Sequence, residues 1–164
     1  MRLACLGDSL TEGFLVEKSY VDYLREEGYE SINLGRNGDR TSDLLERFEA
    51  SKCDVLIIFA GTNDLLNGVS AEIAFDNIKN ILEKSEAKKD LIIIPPLIEE
   101  DQSYEIYSLV NNSINAYGKM LKQLPIPTVD ARKIKPSYFI DGIHMREDFH
   151  QRLAKEIIKR IENI

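Results

Sequence analysis

The chain has 164 residues, 43% of them hydrophobic and 30% charged, a composition typical of an ordinary globular protein. Its length suits one domain over residues 1–164. The 21 basic and 28 acidic residues give a net charge of −7 with no basic run, which argues against binding to nucleic acid or to an anionic membrane. No apolar run approaches the roughly 18 residues that a membrane-spanning helix needs, and the N-terminal apolar stretch is too short for a signal-peptide core.

The two cysteines, Cys5 and Cys53, each lie in or beside an apolar run. This placement predicts two reduced, buried thiols and a cytoplasmic location. Neither cysteine stands where a predicted strand ends, so neither is expected to act as a nucleophile.

Short apolar runs alternate with helical patterns along the whole chain. The predicted strands are Leu3–Leu6, Glu30–Leu34, Asp54–Ala60, Leu91–Ile94 and Ile126–Val129. The predicted helices are Ser19–Glu27, Thr41–Ala50 with Thr41 as its N-cap, a segment capped by Ser70, a long segment from Val110 to Leu124, and a C-terminal segment from Phe149 to Ile161. Because the strands alternate with helices, we predict an α/β protein with a flavodoxin-like, three-layer α/β/α fold and a five-stranded parallel sheet.

Polar residues follow four of these strands, at the sheet edge where such folds bind ligands. They are Gly7-Asp8-Ser9 after the first strand, Asn33 to Asp39 after the second, Gly61-Thr62-Asn63-Asp64 after the third, and Asp141-Gly142-Ile143-His144 beyond the fifth. Each group alone is most simply a turn or a helix cap. Their combination at one edge predicts a site, whereas His150 has no comparable partner and is interpreted as a solvated helix residue.

The residue types in this set fit acyl transfer. A serine hydroxyl such as that of Ser9 needs a base, and histidine is the residue type suited to that role near neutrality, which makes His144 the candidate base. Asp141, three residues away, is able to orient the imidazole. The backbone N–H groups of Ser9 and Gly38 and the side-chain amide of Asn63 are candidate donors to an oxyanion. Gly38 is expected to be glycine because its backbone must approach the substrate closely.

The four blocks resemble those of the GDSL, or SGNH, hydrolases, which are esterases, lipases, thioesterases and arylesterases. The resemblance extends from Gly7 to His144, and Met145 departs from it because many members have proline there. It implies Ser9 as nucleophile, His144 as base and Asp141 as orienting carboxylate. It also implies an oxyanion hole formed by Ser9, Gly38 and Asn63, with Gly35 as a rival to Gly38.

The resemblance implies a serine esterase that uses no metal or other cofactor and cleaves small-molecule carboxylic esters or thioesters. Because 164 residues leave little room for an elaborate substrate domain, we expect a shallow, open site with a broad preference for short to medium acyl groups. A carbohydrate deacetylase and a lysophospholipase remain alternatives on the same site. Two further alternatives belong to other classes. One is a Mg²⁺-dependent receiver-like or phosphoryl-transfer domain that uses Asp8, Asp39 and Asp64, and the other is a non-catalytic protein that binds carbohydrate or lipid. Asp8 and Asp64 are more simply interpreted as braces of the loops that hold Ser9 and Asn63. The oligomeric state is not predicted.

The sequence indicates the substrate pocket less specifically than it indicates the catalytic residues. Apolar residues flank each block and either line an acyl pocket or form a small core beneath the loops. The candidates are Leu10, Leu65, Leu97, Tyr104 and Ile143, together with Phe14, Leu15 and the segment Tyr138 to Ile140. The loop 97–105 leaves the fourth strand at the active edge and is a candidate lid.

Overall fold

Residues 1–50, 52–100, 105–134 and 139–164 are described by a computed structural model of the chain. Its strands are β1 (Arg2–Gly7), β2 (Glu30–Gly35), β3 (Val55–Phe59), β4 (Lys89–Ile94) and β5 (Thr128–Asp130). Its α-helices are α1 (Ser9–Glu12), α2 (Tyr20–Glu26), α3 (Thr41–Arg47), α4 (Thr62–Leu66), α5 (Ala71–Lys84), α6 (Glu105–Leu121) and α7 (Glu147–Ile161). A short 3₁₀ helix, Ala131–Lys133, follows β5.

The five strands form one parallel sheet in the order β2-β1-β3-β4-β5. This is the flavodoxin-like order, so the predicted fold class is confirmed. Gly7 pairs with Gly35 on one side and with Phe59 on the other, which brings the carboxyl ends of β1, β2 and β3 to the same level. The loops after these three strands therefore meet at one edge of the sheet.

Two hydrophobic clusters cover the two faces of the sheet. Along β3, Val55, Ile57 and Phe59 enter one cluster, while Leu56 and Ile58 enter the other. The first cluster also contains side chains of α2 and α7, and the second contains side chains of α3, α5 and α6. The continuous apolar run of β3 therefore reflects burial on both faces, as expected for a central parallel strand.

Two predicted helices end earlier in the structure than in the sequence prediction. The long helix α6 ends at Leu121, not at Leu124, because Pro125 disfavours helical backbone in the residue before it. Leu124 still packs against the second cluster, which preserves the apolar spacing past the end of the helix. Helix α3 ends at Arg47, not at Ala50, and Phe48 continues in extended conformation.

Thr41 was expected to cap α3, and that prediction was wrong. The N-cap is Arg40, and Thr41 is the first helical residue, fully buried. The Thr41 hydroxyl donates to Asp64 Oδ1 at 2.6 Å, so this side chain binds helix α4 and does not cap its own helix. By contrast, Ser70 caps α5 as predicted, since its Oγ accepts from the Ile73 N–H.

Cys5 and Cys53 are both buried and free of disulfides, as the sequence indicated. Burial raises the pKa of the Cys5 thiol to about 12, so the thiolate is strongly disfavoured there. No helix within the described ranges combines the length and hydropathy needed to cross a bilayer.

Candidate active site

Ser9 stands at the first position of α1, immediately after β1. Asp8 caps this helix, and its carboxylate accepts the Leu10 N–H at 3.0 Å. Gly7 is required at the end of the strand, because a Cβ there would overlap Thr11 and the backbone carbonyl of Phe59. The tight turn leaves Ser9 6% exposed at the carboxyl edge of the sheet.

His144 connects Ser9 to Asp141 through hydrogen bonds of both ring nitrogens. His144 Nε2 lies 2.9 Å from Ser9 Oγ, and His144 Nδ1 lies 2.6 Å from Asp141 Oδ2. The other carboxylate oxygen of Asp141 accepts the backbone N–H groups of Ile143 and His144, at 3.0 and 2.7 Å. Asp141 therefore fixes both the loop backbone and the imidazole ring.

The chemistry of the three side chains determines which atoms of Asp141, His144 and Ser9 carry the protons in these hydrogen bonds. Partial burial acts to raise the pKa of Asp141, but hydrogen bonds from His144 and Ile143 outweigh it and hold the pKa below its usual value. Asp141 is therefore a carboxylate at neutral pH and can only accept, so His144 Nδ1 carries the proton. In neutral imidazole, Nε2 is then an acceptor and receives the Ser9 hydroxyl proton.

The loop after β2 is attached directly to the segment that holds Ser9. The Arg36 N–H donates to the Gly7 carbonyl at 3.1 Å, and the Asn37 N–H donates to Glu12 Oε2 at 2.7 Å. Asn33 Nδ2 donates to the Thr11 carbonyl at 2.8 Å. These bonds bring the second predicted block against the first.

Gly35 and Gly38 have different structural reasons to be glycine. A Cβ on Gly35 would overlap the backbone of Glu12, so Gly35 allows β2 to pack against α1. Gly38 has φ +84°, a left-handed conformation that favours glycine, and a Cβ there would meet nothing within 4 Å. The space beside Gly38 is therefore not filled by other described residues of the protein. Its positive φ is a sufficient reason for glycine at this position, so the close approach of substrate expected from the sequence is not needed to account for it.

Asn63 lies in α4 and joins the third block to the second. Its Nδ2 donates to the Asp39 carbonyl at 2.9 Å, which places its amide beside the residue that follows Gly38. A carboxamide carries two N–H donors, so one remains after this bond. The structure thus brings Asn63 and the Gly38 loop together at the edge that also holds Ser9.

Arg47 is the main residue of this edge that the sequence analysis missed. Its Nε donates to Asp39 Oδ2 at 2.6 Å, and its Nη2 donates to the carbonyls of Gly7 and Leu34 at 3.0 and 2.8 Å. One largely buried guanidinium therefore holds the ends of β1 and β2 and the loop that carries Gly38. The available signal was helical spacing, since Arg47 follows the buried Thr41 and Leu44 at intervals of three.

The acidic residues at this edge are engaged within the protein. Both carboxylate oxygens of Asp64 accept from Thr41, its N–H at 2.8 Å and its hydroxyl at 2.6 Å, while Asp39 pairs with Arg47. Burial raises the pKa of Asp8 to about 7 against the opposing Leu10 hydrogen bond, and the charges of Asp64 and Asp39 add to the rise. Among the described residues no group of three His, Cys, Asp or Glu side chains is arranged to hold a metal ion.

The described candidates for the substrate pocket are distributed over both hydrophobic clusters. Leu10 and Leu65 are buried in opposite hydrophobic clusters, so they lie beneath the loops, and Leu97 and Ile143 pack partly against the second cluster. Tyr104 and Tyr138 lie outside the described residues. Two surface cavities, of about 730 and 310 Å³, are lined by other residues and include none of Ser9, Asp141 and His144.

The segment that leaves β4 touches the loop that contains Asp141. The Glu99 N–H donates to the Gly142 carbonyl at 2.8 Å, and the Ile98 backbone is held on both sides by the buried Asn111. These contacts anchor residues 98 and 99. Residues 101–104 lie outside the described ranges, so the lid formed by the loop 97–105 stays a prediction.

His150 is buried, so its interpretation as a solvated residue was wrong. It is 1% exposed in α7, and its Nδ1 accepts the Tyr20 N–H at the start of α2, at 3.3 Å. Burial lowers the pKa of His150 to about 4, against the raising effect of nearby carboxylates. Its spacing with the buried Ala154 and Ile157 places it on the core face of the helix, a pattern that the sequence already contained.

Leu15 carries backbone strain close to the site, since it is the only described residue other than glycine with positive φ, at +67°. We expect Leu15→Asn to raise the free energy of unfolding by about 0.5–1 kcal/mol, because asparagine tolerates this conformation and the leucine side chain is half exposed. Urea unfolding measures the difference. Leu109→Asn, at an exposed position in α6, is the control and should give no gain. A loss of stability in Leu15→Asn would contradict the expectation.

The chain resembles known proteins in both its sequence and its fold. The sequence model of the GDSL-like Lipase/Acylhydrolase family matches residues 5–152. No curated protein matches the sequence.

Several solved structures share the fold at low sequence identity. A member of the lipolytic protein G-D-S-L family from Veillonella parvula DSM 2008 is 17% identical with a TM-score of 0.84, and the match covers 100% of both chains. A putative arylesterase from Agrobacterium tumefaciens str. C58 is 20% identical with a TM-score of 0.80, covering 99% of both chains. A variant of an acetyl-xylooligosaccharide esterase from Geobacillus Stearmophilus is 21% identical with a TM-score of 0.79, covering 98% of this chain and 93% of that one.

Proposed function

The chain belongs to the GDSL-like lipase/acylhydrolase family and is a hydrolase of ester bonds, and from this premise we propose that it is a serine esterase with Ser9 as its nucleophile. The observation that carries the proposal is the continuous hydrogen-bond chain from Asp141 through His144 to Ser9. The proposed substrates are small carboxylic esters or thioesters of short to medium acyl groups. We propose no cofactor for the reaction.

The proposed reaction has two steps. Ser9 Oγ attacks the carbonyl carbon and gives its proton to His144 Nε2, and His144 then passes that proton to the departing alcohol or thiol as its bond to the carbonyl carbon breaks. Water then attacks the carbonyl carbon of the acyl-enzyme and gives one of its protons to His144 Nε2, which passes that proton to Ser9 Oγ as the bond between Oγ and the acyl group breaks and the carboxylic acid leaves. Asp141 keeps the proton of Nδ1 in place and stabilises the imidazolium.

The proposed oxyanion hole consists of the Ser9 and Gly38 N–H groups and the Asn63 amide. The bond from Asn63 to the Asp39 carbonyl supports this assignment, because it fixes the amide while leaving one N–H for substrate. The open space at Gly38 is also compatible with substrate contact. Arg47 is a positioning residue here, since it holds the loop but has no assigned contact with substrate.

The alternative of a Mg²⁺-dependent domain is less well supported. It needs free carboxylates at the strand ends, whereas Asp64 is occupied by Thr41, Asp39 is paired with Arg47, and the raised pKa of Asp8 weakens it as a metal ligand. A non-catalytic binder would have no need of the linked Ser9, His144 and Asp141. Carbohydrate deacetylation and lysophospholipid cleavage use the same chemistry and stay open. The free, buried cysteines support a cytoplasmic location as part of the proposal.

Covalent labelling tests the nucleophile. The wild-type chain is incubated with a fluorophosphonate, which phosphonylates an activated serine, and is then digested and analysed by mass spectrometry. We expect one adduct on Ser9, loss of p-nitrophenyl acetate hydrolysis in proportion to labelling, and no label in Ser9→Ala. EDTA should change neither result. A label on another residue, or hydrolysis that depends on EDTA, would overturn the proposal. A p-nitrophenyl ester series from acetate to a long acyl chain then sizes the acyl site.

A further inference from the structure

Phe14 packs against the imidazole that the proposed reaction uses. The Phe14 and His144 ring centroids lie 5.0 Å apart with an interplanar angle of 58°. Helix α1 ends at Glu12, and its C-cap Gly13, with φ +92°, turns the chain back and places Phe14 beside the proposed base. Phe14 is nevertheless 37% exposed, so part of the residue faces solvent beside His144.

Two other exposed apolar side chains belong to the same short segments. Leu15 follows Phe14, is 52% exposed and is held at positive φ. Ile140 is 43% exposed, and its N–H donates to the His144 carbonyl at 2.8 Å. The segments that carry the nucleophile and the base therefore present apolar surface to solvent, together with the strain at Leu15. Segments that keep both exposed apolar area and backbone strain at a reaction centre are candidates for ligand contact.

The direction of proton transfer determines which part of an ester meets this surface. In the proposed first step His144 Nε2 protonates the oxygen or sulfur whose bond to the carbonyl carbon breaks. That atom must come within hydrogen-bond reach of Nε2, so the group attached to it leaves past the imidazole. The carbonyl oxygen instead faces Asn63 and the Gly38 loop, which are polar. The surface around His144 is therefore the leaving-group side of the site.

We propose that Phe14, with Leu15 and Ile140, forms an apolar leaving-group subsite, and that the preferred substrates are esters with an apolar alcohol portion. This inference rests on the proposed function. It assigns substrate specificity to the alcohol portion of the ester, whereas the sequence pattern indicated an acyl pocket. Phe14 is a specificity residue that contacts the leaving group and holds one face of the His144 ring.

Two isomeric esters distinguish binding of an alkyl chain on the leaving-group side from binding of the same chain on the acyl side. Hexyl acetate and ethyl hexanoate have the same atoms, and both release an unactivated primary alcohol, so leaving-group chemistry is nearly constant. We expect wild type to favour hexyl acetate in kcat/KM, with a gain of about twofold to fourfold per added methylene along the series from ethyl to hexyl acetate. Acid release is followed in a pH-stat.

Substitutions at Phe14 test the assignment. Phe14→Ala should lower the hexyl acetate to ethyl hexanoate ratio about tenfold, mainly through KM for the longer alcohol, and Phe14→Leu should retain part of the preference. The control is Phe75→Ala, which removes a half-buried phenylalanine from α5 and should leave the ratio unchanged. The ratio is independent of the fraction of folded enzyme, so reduced stability does not mimic the effect.

Each outcome is decisive. A lower ratio in Phe14→Ala alone supports the inference. A wild-type preference for ethyl hexanoate, or an unchanged ratio in Phe14→Ala, overturns it while leaving the esterase proposal intact. If wild type hydrolyses neither these esters nor p-nitrophenyl acetate, the proposed function and the inference fail together.

Discussion

Asp141→Asn should lower kcat for ester hydrolysis by about 10²- to 10⁴-fold while leaving the fold nearly unchanged. An asparagine oxygen is still able to accept the Ile143 and His144 N–H groups that now bind Asp141 Oδ1. Its amide nitrogen would face His144 Nδ1 as a donor, so Nδ1 would become the acceptor and Nε2 would carry the proton. Ser9 would then have no base to receive its proton, and the imidazolium would lose its carboxylate partner.

The measurements are kcat with p-nitrophenyl acetate and the melting temperature of each variant. Ser9→Ala gives the lower limit of the activity assay. Asp76→Asn is a matched control, since Asp76 pairs with Lys79 three residues away on α5, outside the site, and should retain full activity. Retention of more than a tenth of wild-type kcat by a well-folded Asp141→Asn variant would contradict the proposed role of Asp141.

The predictable part of the fold was encoded in local patterns. Strand β3 could be predicted from its continuous apolar run, because both of its faces are buried. The N-cap at Ser70 could be predicted because it involves only residues close in sequence. Helix ends were less predictable, since Leu124 keeps the apolar spacing of α6 after the backbone has left the helix. The confirmed sheet order then followed from alternating strands and helices.

The candidate site was predictable where its residues stand directly at strand ends. Ser9 and Asn63 could be proposed because parallel strands bring their carboxyl ends to one edge, whereas the Asp141–His144 pair, beyond β5, was indicated by its residue types and spacing. The spacing of Arg47 indicates only the buried side of α3, because its role depends on acceptors at the ends of β1 and β2 and in the loop that carries Gly38. The contact between Phe14 and His144 likewise depends on how a turn after Gly13 folds back, which no residue spacing encodes.

Two buried ionisable groups should make opposite contributions to stability between pH 4 and 7. Burial raises the pKa of Asp8 to about 7, and Asp64 and Asp39 are the carboxylates that face it. The folded state thus holds a proton that the unfolded chain has released above about pH 4, so this contribution falls by about 4 kcal/mol as the pH rises to 7.

The contribution of His150 has the reverse sign. Burial lowers its pKa to about 4, although Glu147, Asp22 and Asp148 act to raise it and His144 to lower it. The unfolded chain binds a proton below about pH 6.5 that the folded state excludes, so stability rises by about 3 kcal/mol between pH 4 and 6.5. The two contributions therefore nearly cancel in the wild-type protein.

Single substitutions should expose the two opposing slopes. Asp8→Asn keeps an acceptor for the Leu10 N–H and removes the first contribution, so relative to wild type its stability should rise by about 4 kcal/mol from pH 4 to 7. His150→Asn keeps an acceptor for the Tyr20 N–H and should lose about 3 kcal/mol relative to wild type over the same range. Urea unfolding at half-unit pH intervals measures both, and all other titrating groups are common to the compared proteins. Parallel curves of stability against pH for wild type and either variant would contradict the prediction, because the replaced group would then titrate alike in the folded and unfolded states. A double variant that restores the wild-type slope would show that the two groups act independently.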